Sequence, residues 1–332
     1  MSAAIRDFGM TKAGERVEAV DLAAGGLRAT ILTLGATLQD LRFDRAGWPL
    51  VLGADSVAAY EGPLIYAGAI VGPVANRIAG AAAGIAGRRH DFEANEGGTT
   101  TLHSGNTGLH TRLWRIESAG ADHATLAIDL ADGDGGFPGN RRITAAFRLV
   151  APGDLVIDLT ATTDAPSLIN LAHHSYWTLD GSSDTRRHRL RVAAEHYLPV
   201  DDRLIPTGEV RPVAGTSFEL RGGRRLTELP PLDHNFCLSP ARRGLTEVAE
   251  LSGASGLRLR LATTEPGLQV YDGRHFTPGP DGRGPAPHAG IALEPQGWPD
   301  APNRPDFPSV TLRPGEQYHQ ITRFRIDWPD KP

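Results

Sequence analysis

The sequence predicts an all-β protein, built as one large antiparallel domain of the sandwich or barrel type spanning residues 1–332. Several segments alternate apolar and polar residues with the two-residue period of a strand that buries one face. No long amphipathic helical pattern competes with them. The 39 glycines and 25 prolines are spread along the whole chain, punctuating short apolar runs rather than gathering into a linker.

In chain order, residues 28–33, 37–43 and 125–129 are the first strand candidates. The clearest alternation follows at 142–150 and 155–163. Ala151-Pro152-Gly153-Asp154 separates these two, supplying the fixed dihedral of proline and the freedom of glycine that a tight turn needs. An antiparallel hairpin is therefore expected. Further strands are expected at 188–193, 257–263, 290–293 and 318–326. The Pro- and Gly-rich stretch 277–287 lies between two strand candidates and reads as a loop excursion, not a domain boundary.

Composition narrows the function classes. With 40% hydrophobic residues, 22% charged residues and a formal net charge of -5, the chain is ordinary for a soluble globular protein. Nothing in it marks a nucleic-acid partner. The single cysteine, Cys237, allows no intrachain disulfide, so an oxidising compartment is not needed; the thiol itself reads as inert core. The first residues, M-S-A-A-I-R-D-F-G, carry charges where a secretory signal needs an apolar run, and no span approaches about 20 apolar residues. The expectation is a cytoplasmic protein with no membrane partner.

The most informative segment is N-L-A-H-H-S-Y-W-T-L at 170–179, where two adjacent histidines sit in a strand-like run. Imidazole titrates nearest neutral pH, which makes it the first candidate for proton transfer. Successive strand residues face opposite sides, so only one of the pair can enter a given pocket. His174 shares its face with Asn170, Ala172 and Tyr176, and His173 with Leu171 and Trp177; His174 is the chemical candidate and His173 the structural one.

Glu294 is the second candidate. It follows G-I-A-L and precedes Pro295, and a carboxylate at the end of an apolar strand needs a partner or a shifted pKa to be tolerated inside. Four further positions admit two readings each. Asn76-Arg77 is a surface turn or a binding pair. His103 ends a strand before Ser104-Gly105 or serves a site. Asp233 is a turn residue or a functional carboxylate, and Gln269 an exposed strand residue or part of a site. No His-x-His, H-E-x-x-H or C-x-x-C metal pattern is present, and Asp132-Gly133-Asp134-Gly135 lacks the later ligands of a calcium loop and reads as a turn. There is no G-x-S-x-G elbow, P-loop or dinucleotide fingerprint. Acid–base chemistry by a histidine and a buried carboxylate remains.

These motifs resemble the aldose 1-epimerase, or galactose mutarotase, family. The resemblance runs through L-G-A-T (34–37), V-L-G-A-D (51–55), G-P-V-A-N-R-I (72–78), N-E-G-G-T-T-T-L-H-S-G (95–105) and G-F-P-G (136–139). It continues through the double-histidine segment, L-D-H-N-F (232–236), L-Q-V-Y (268–271), A-L-E-P-Q (292–296) and F-P-S-V-T-L-R-P-G-E (307–316). It implies a large antiparallel β-sandwich with an open sugar cleft, acting on a free aldose without cofactor or metal. Matched by position, His174 corresponds to the general acid, Glu294 to the general base, and His103 to the second active-site histidine. Asn76 and Arg77, Asp233 and Gln269 correspond to sugar-binding residues. Three positions depart from the family pattern: Pro73 in place of arginine, Asp272-Gly273-Arg274 after Tyr271, and His173 in place of asparagine.

The expected cycle has Glu294 remove the C1 hydroxyl proton while His174, held charged by a nearby carboxylate, protonates the ring oxygen. Three other readings stand beside it. Arg186, Arg187, Arg189 and Arg191 could hold the phosphate of a hexose 6-phosphate, Asp233 and Glu294 could serve a glycosidase, or the cleft could bind sugar without chemistry.

Overall fold

The computed structural model describes residues 4–278 and 284–329. Among these residues helix is confined to short turns, the α-helix being the single turn Val57–Tyr60, and no helix is long and apolar enough to cross a membrane. The expected hairpin stands at the centre of a nine-stranded sheet: Arg141–Val150 pairs with Asp154–Thr163, with Val150 opposite Asp154. The connecting loop is thus Ala151-Pro152-Gly153, one residue shorter than the sequence suggests. Asp154 leaves the turn because its carboxylate accepts from Nε and Nη2 of Arg325 on the next strand, at 2.7 and 2.8 Å.

Alternation explains this sheet. Ile143, Ala145, Phe147 and Leu149 face inward, while Arg142 and Arg148 face solvent. The other expected strands appear as Leu27–Leu32, Thr37–Phe43, His123–Leu130, Arg189–Val192, Arg258–Thr263, Ile291–Gln296 and Tyr318–Asp327. Within the expected loop 277–287 the described residues are irregular, and 279–283 lie outside the described residues.

A six-stranded sheet packs on the inner face of the nine-stranded one, forming a β-sandwich. Its order is Tyr176–Trp177, Ile291–Gln296, Gly267–Tyr271, Asp233–Cys237, His196–Tyr197, Arg211–Pro212. Trp177 meets Phe324 of the larger sheet with ring centroids 4.6 Å apart, and Ile291, Leu293, Leu268, Val270 and Phe236 join the same core. A four-stranded N-terminal sheet adds Val20, Leu22, Ile31 and Leu38 to it. All six residues of Ile291–Gln296 are buried, because one face of this strand lies on the core and the other lies beneath the segments carrying Tyr66, Arg77 and His103. That second face holds the site.

Candidate active site

Strand register assembles the floor of a cleft on the outer face of the six-stranded sheet. Gln269 lies directly opposite Glu294, and Asp233 opposite Tyr271. His174 follows the strand Ala172–His173. It is fixed by its backbone N–H donating to Ala69 O at 2.9 Å and by its carbonyl accepting from Gly68 N at 3.0 Å. As the alternation requires, the neighbouring rings part: His173 enters the core against Phe147 and Phe324, and His174 lines the cleft.

The wall opposite is stitched from two loops. Asn76 and His103 both adopt left-handed backbone, at φ 62° and 50°, a conformation asparagine and histidine tolerate better than most residues. Asn76 N–H donates to His103 Nδ1 at 3.1 Å, His103 N–H donates to Asn76 O at 3.0 Å, and Asn76 Oδ1 accepts from Arg77 N–H at 2.8 Å. Ser104 Oγ accepts from Val74 N–H and donates to Val74 O, at 2.8 and 3.1 Å. Neither loop can move without the other.

The cleft has a volume of about 430 Å³. Six of the seven candidate residues line it: Asn76, Arg77, His103, His174, Asp233 and Glu294. Gln269 stands behind them, its Nε2 donating to Asp233 Oδ1 at 2.6 Å. The exposed-residue readings of Arg77 and Gln269 are corrected, since these residues are 7% and 3% exposed. The reason is tertiary: both are covered by segments distant in sequence.

His174 Nε2 lies 3.5 Å from Glu294 Oε1, with both side chains buried. Burial dominates the electrostatics. It pushes His174 down to about 4 and Glu294 well above the ordinary carboxylate range, with Asp233 adding repulsion at Glu294. The expectation that a neighbouring carboxylate holds His174 charged at neutral pH is therefore corrected. Two charges removed from water are less stable than an imidazole beside a carboxylic acid. The pair still holds one proton. Glu294 Oε2 has no hydrogen-bond partner among the described residues.

Burial lowers His103 well below its usual range, with further repulsion from His174 and His110. Because Nδ1 accepts from Asn76 N–H, the neutral ring carries its proton on Nε2 and is a fixed donor. That tautomer also tests a metal reading. His103, His174 and Glu294 place ligand-type atoms within 4.8 Å of one another. A tetrahedral site with bonds of about 2.1 Å needs them roughly 3.4 Å apart. His103 offers an N–H where a ligand needs a lone pair, so this trio fits a hydroxyl-bearing ligand and not a cation.

None of the departures from the family pattern lines the cleft, although the charges of Arg274 and Asp272 reach Asp233. His173 is core, Pro73 is absent from the lining, and Asp272 and Arg274 line a neighbouring cavity of about 290 Å³. None of Arg186, Arg187, Arg189 and Arg191 lines the cleft; Arg186 is bound to Asp184, and Arg189 to Gly222 O. The Asp132–Gly135 stretch is a turn, with Asp132 accepting from Gly139 N–H and Asp134 paired to Arg112. Cys237 is buried and its thiol pushed up to about 12.

Sequence reasoning placed Tyr176 on the face of His174 but did not single out the rest of the aromatic wall or Glu96. Tyr66 stacks 5.9 Å from His174 and touches His103, while Tyr176, Tyr271 and Phe276 close the other side. Such rings supply the flat apolar faces that sugar C–H groups pack against. Glu96 grips Arg77 from the rim. Its signal was a charged residue directly before Gly97-Gly98.

The chain matches the family model for aldose 1-epimerase over residues 18–325. It is 36% identical to the galactose mutarotase of Homo sapiens over 329 residues, covering 94% of this chain and 95% of that protein. It is 35% identical to the aldose 1-epimerase of Escherichia coli K12, covering 91% and 92%. Among solved structures, an aldose epimerase homologue from C. elegans superimposes with a TM-score of 0.88 at 31% identity, covering 94% of this chain and 99% of that one. The galactose 1-epimerase of Lactobacillus acidophilus gives a TM-score of 0.86 at 25% identity, covering 98% and 99%. The fold, the assembled cleft and these matches agree: the chain belongs to the aldose 1-epimerase family.

Proposed function

We propose that the protein is a mutarotase, interconverting the α and β anomers of a free aldose such as glucose or galactose through a single proton shared by His174 and Glu294. The observation that supports this reading is the buried 3.5 Å contact between His174 Nε2 and Glu294 Oε1, at the floor of the cleft. In the free protein burial favours the proton on Glu294 over His174. A bound sugar supplies hydroxyl donors that stabilise the carboxylate, and the proton moves to His174.

Ring opening then balances. The Glu294 carboxylate takes the C1 hydroxyl proton, the C1–O5 bond breaks to leave a carbonyl at C1, and the His174 imidazolium protonates O5. This leaves Glu294 protonated and His174 neutral, the same state that burial favours. Rotation about C1–C2 presents the other carbonyl face, and closure returns both protons. His103 donates from Nε2 to the developing carbonyl oxygen, with no charge of its own to disturb the pair. Asn76, Arg77 and Asp233 hold the sugar hydroxyls, and Gln269 orients Asp233. A glycosidase pair is disfavoured because Asp233 is engaged by Gln269 and Arg77.

Polarimetry on freshly dissolved α-D-glucose and α-D-galactose tests the proposal. Faster decay to the unchanged final rotation is the expected result. An unaltered rate with both sugars, at protein concentrations that saturate neither, contradicts it.

A further inference from the structure

We infer that Glu96 sets the charge selectivity of the cleft: by occupying Arg77 it leaves no free cation for an anionic sugar and confines the site to uncharged aldoses. The inference rests on the mutarotase reading above and adds a residue and a selectivity to it. Among the residues lining the cleft Arg77 is the one arginine or lysine. Its Nε and Nη2 donate to Glu96 Oε2 and Oε1 at 2.7 and 2.8 Å, and its Nη1 lies 3.5 Å from Asp233 Oδ2. A guanidinium presents two edges suited to bidentate recognition of a carboxylate or phosphate. Glu96 fills one, and Asp233 stands at the other.

Glu96 is held for this task. Its N–H donates to Thr100 O at 3.0 Å and its carbonyl accepts from Thr100 N–H at 3.1 Å, closing a short loop through Gly97 and Gly98. Both glycines adopt left-handed backbone, at φ 58° and 68°, which side chains resist. The Glu96 side chain remains 35% exposed at the rim, against 9% for Arg77. Around Arg77 the lining sets the two carboxylates of Glu96 and Asp233 against one guanidinium. A sugar phosphate or uronate therefore meets net negative charge with no open guanidinium edge. Glu96 acts through Arg77 and is a positioning residue.

The test compares α-D-galactose with D-galacturonic acid, which carries a carboxylate at C6, on the full-length protein and on Glu96→Gln. Both turnover by polarimetry and binding by calorimetry are measured. The native protein is expected to favour galactose by about 100-fold or more in kcat/KM. Glu96→Gln is expected to shrink that ratio by about tenfold or more, through a lower KM for galacturonate and a higher KM for galactose. Glu96→Asp keeps the charge and shortens the reach, so it retains the rejection while galactose KM rises. Equal losses on both sugars in Glu96→Gln, with the ratio unchanged, overturn the inference. If the native protein turns over neither sugar, the mutarotase reading fails. The calorimetric ratio then decides this proposal alone, a gain of galacturonate binding in Glu96→Gln supporting it and no gain refuting it.

Discussion

Replacing His173 by asparagine should make the protein less sensitive to acid by an amount the structure fixes. His173 is 2% exposed, contacts Phe147 and Phe324, and its side chain has one hydrogen-bond partner among the described residues, Ser175 Oγ at 3.0 Å from Nε2. Burial, with His174 nearby, pushes it down to about 3. In the unfolded chain a histidine titrates near about 6.5. Between these values the unfolded chain binds a proton that the folded protein refuses. The stability associated with the neutral ring is therefore complete above pH 6.5 and lost as the pH falls toward 3. At pH 5.5 the loss is about 1.4 kcal/mol, one pH unit below the unfolded value. The figure holds however far below 5.5 the folded value lies.

His103, His110 and His174 are buried in the same sense, with His110 and His174 pushed down to about 4. Each acts in the same sense as His173, while burial of Glu294, which raises its carboxyl, acts in the opposite sense over the same range. Urea unfolding at pH 7.5 and 5.5 measures this directly. Between the two, His173→Asn should lose about 1.4 kcal/mol less than the native protein, whatever its stability at pH 7.5. An identical pH dependence in the two proteins would refute the argument that His173 is buried neutral.

Two further predictions concern catalysis. The profile of kcat/KM should show no acid limb near pH 6.5, because His174 is pushed down to about 4, and should fall on the alkaline side above the ordinary carboxylate range as Glu294 loses its proton; an acid limb at 6.5 would contradict the one-proton pair. His103→Gln should lower kcat by about 10²–10³-fold with a smaller effect on KM, since the lost donor serves the developing carbonyl oxygen; a change confined to KM would assign His103 to binding alone.

Six strands of the nine-stranded sheet were legible because one of its faces meets water, while Arg115–Ala119, Arg224–Arg225 and Thr246–Ser252 were not read. Arg142 and Arg148 alternate with Ile143 and Phe147, and the two-residue period survives in the sequence. The six-stranded sheet lacks that signature. Gly267–Tyr271 and Ile291–Gln296 are buried on both faces, so period alone found only the start of the second and none of the first. Glu294 was visible precisely where the pattern failed, as a charge in an apolar run. Arg77 and Gln269 were ambiguous because their burial comes from segments far along the chain. Glu96 went unassigned for the same reason: its partner is 19 residues away, across a loop that only the fold closes. The protonation of His174 and Glu294 was legible as a pair but not in its resting arrangement, which depends on how completely both are removed from water.

The central claim is that His174 and Glu294 work as one unit passing one proton, and the rates of His174→Asn, Glu294→Gln and the double variant test it most directly. Measured by polarimetry on α-D-galactose, each single change should remove about 10²–10⁴-fold of the acceleration, and the double variant should be no slower than the worse single one. Near-native activity in either single variant, or losses that multiply in the double, would contradict a shared proton.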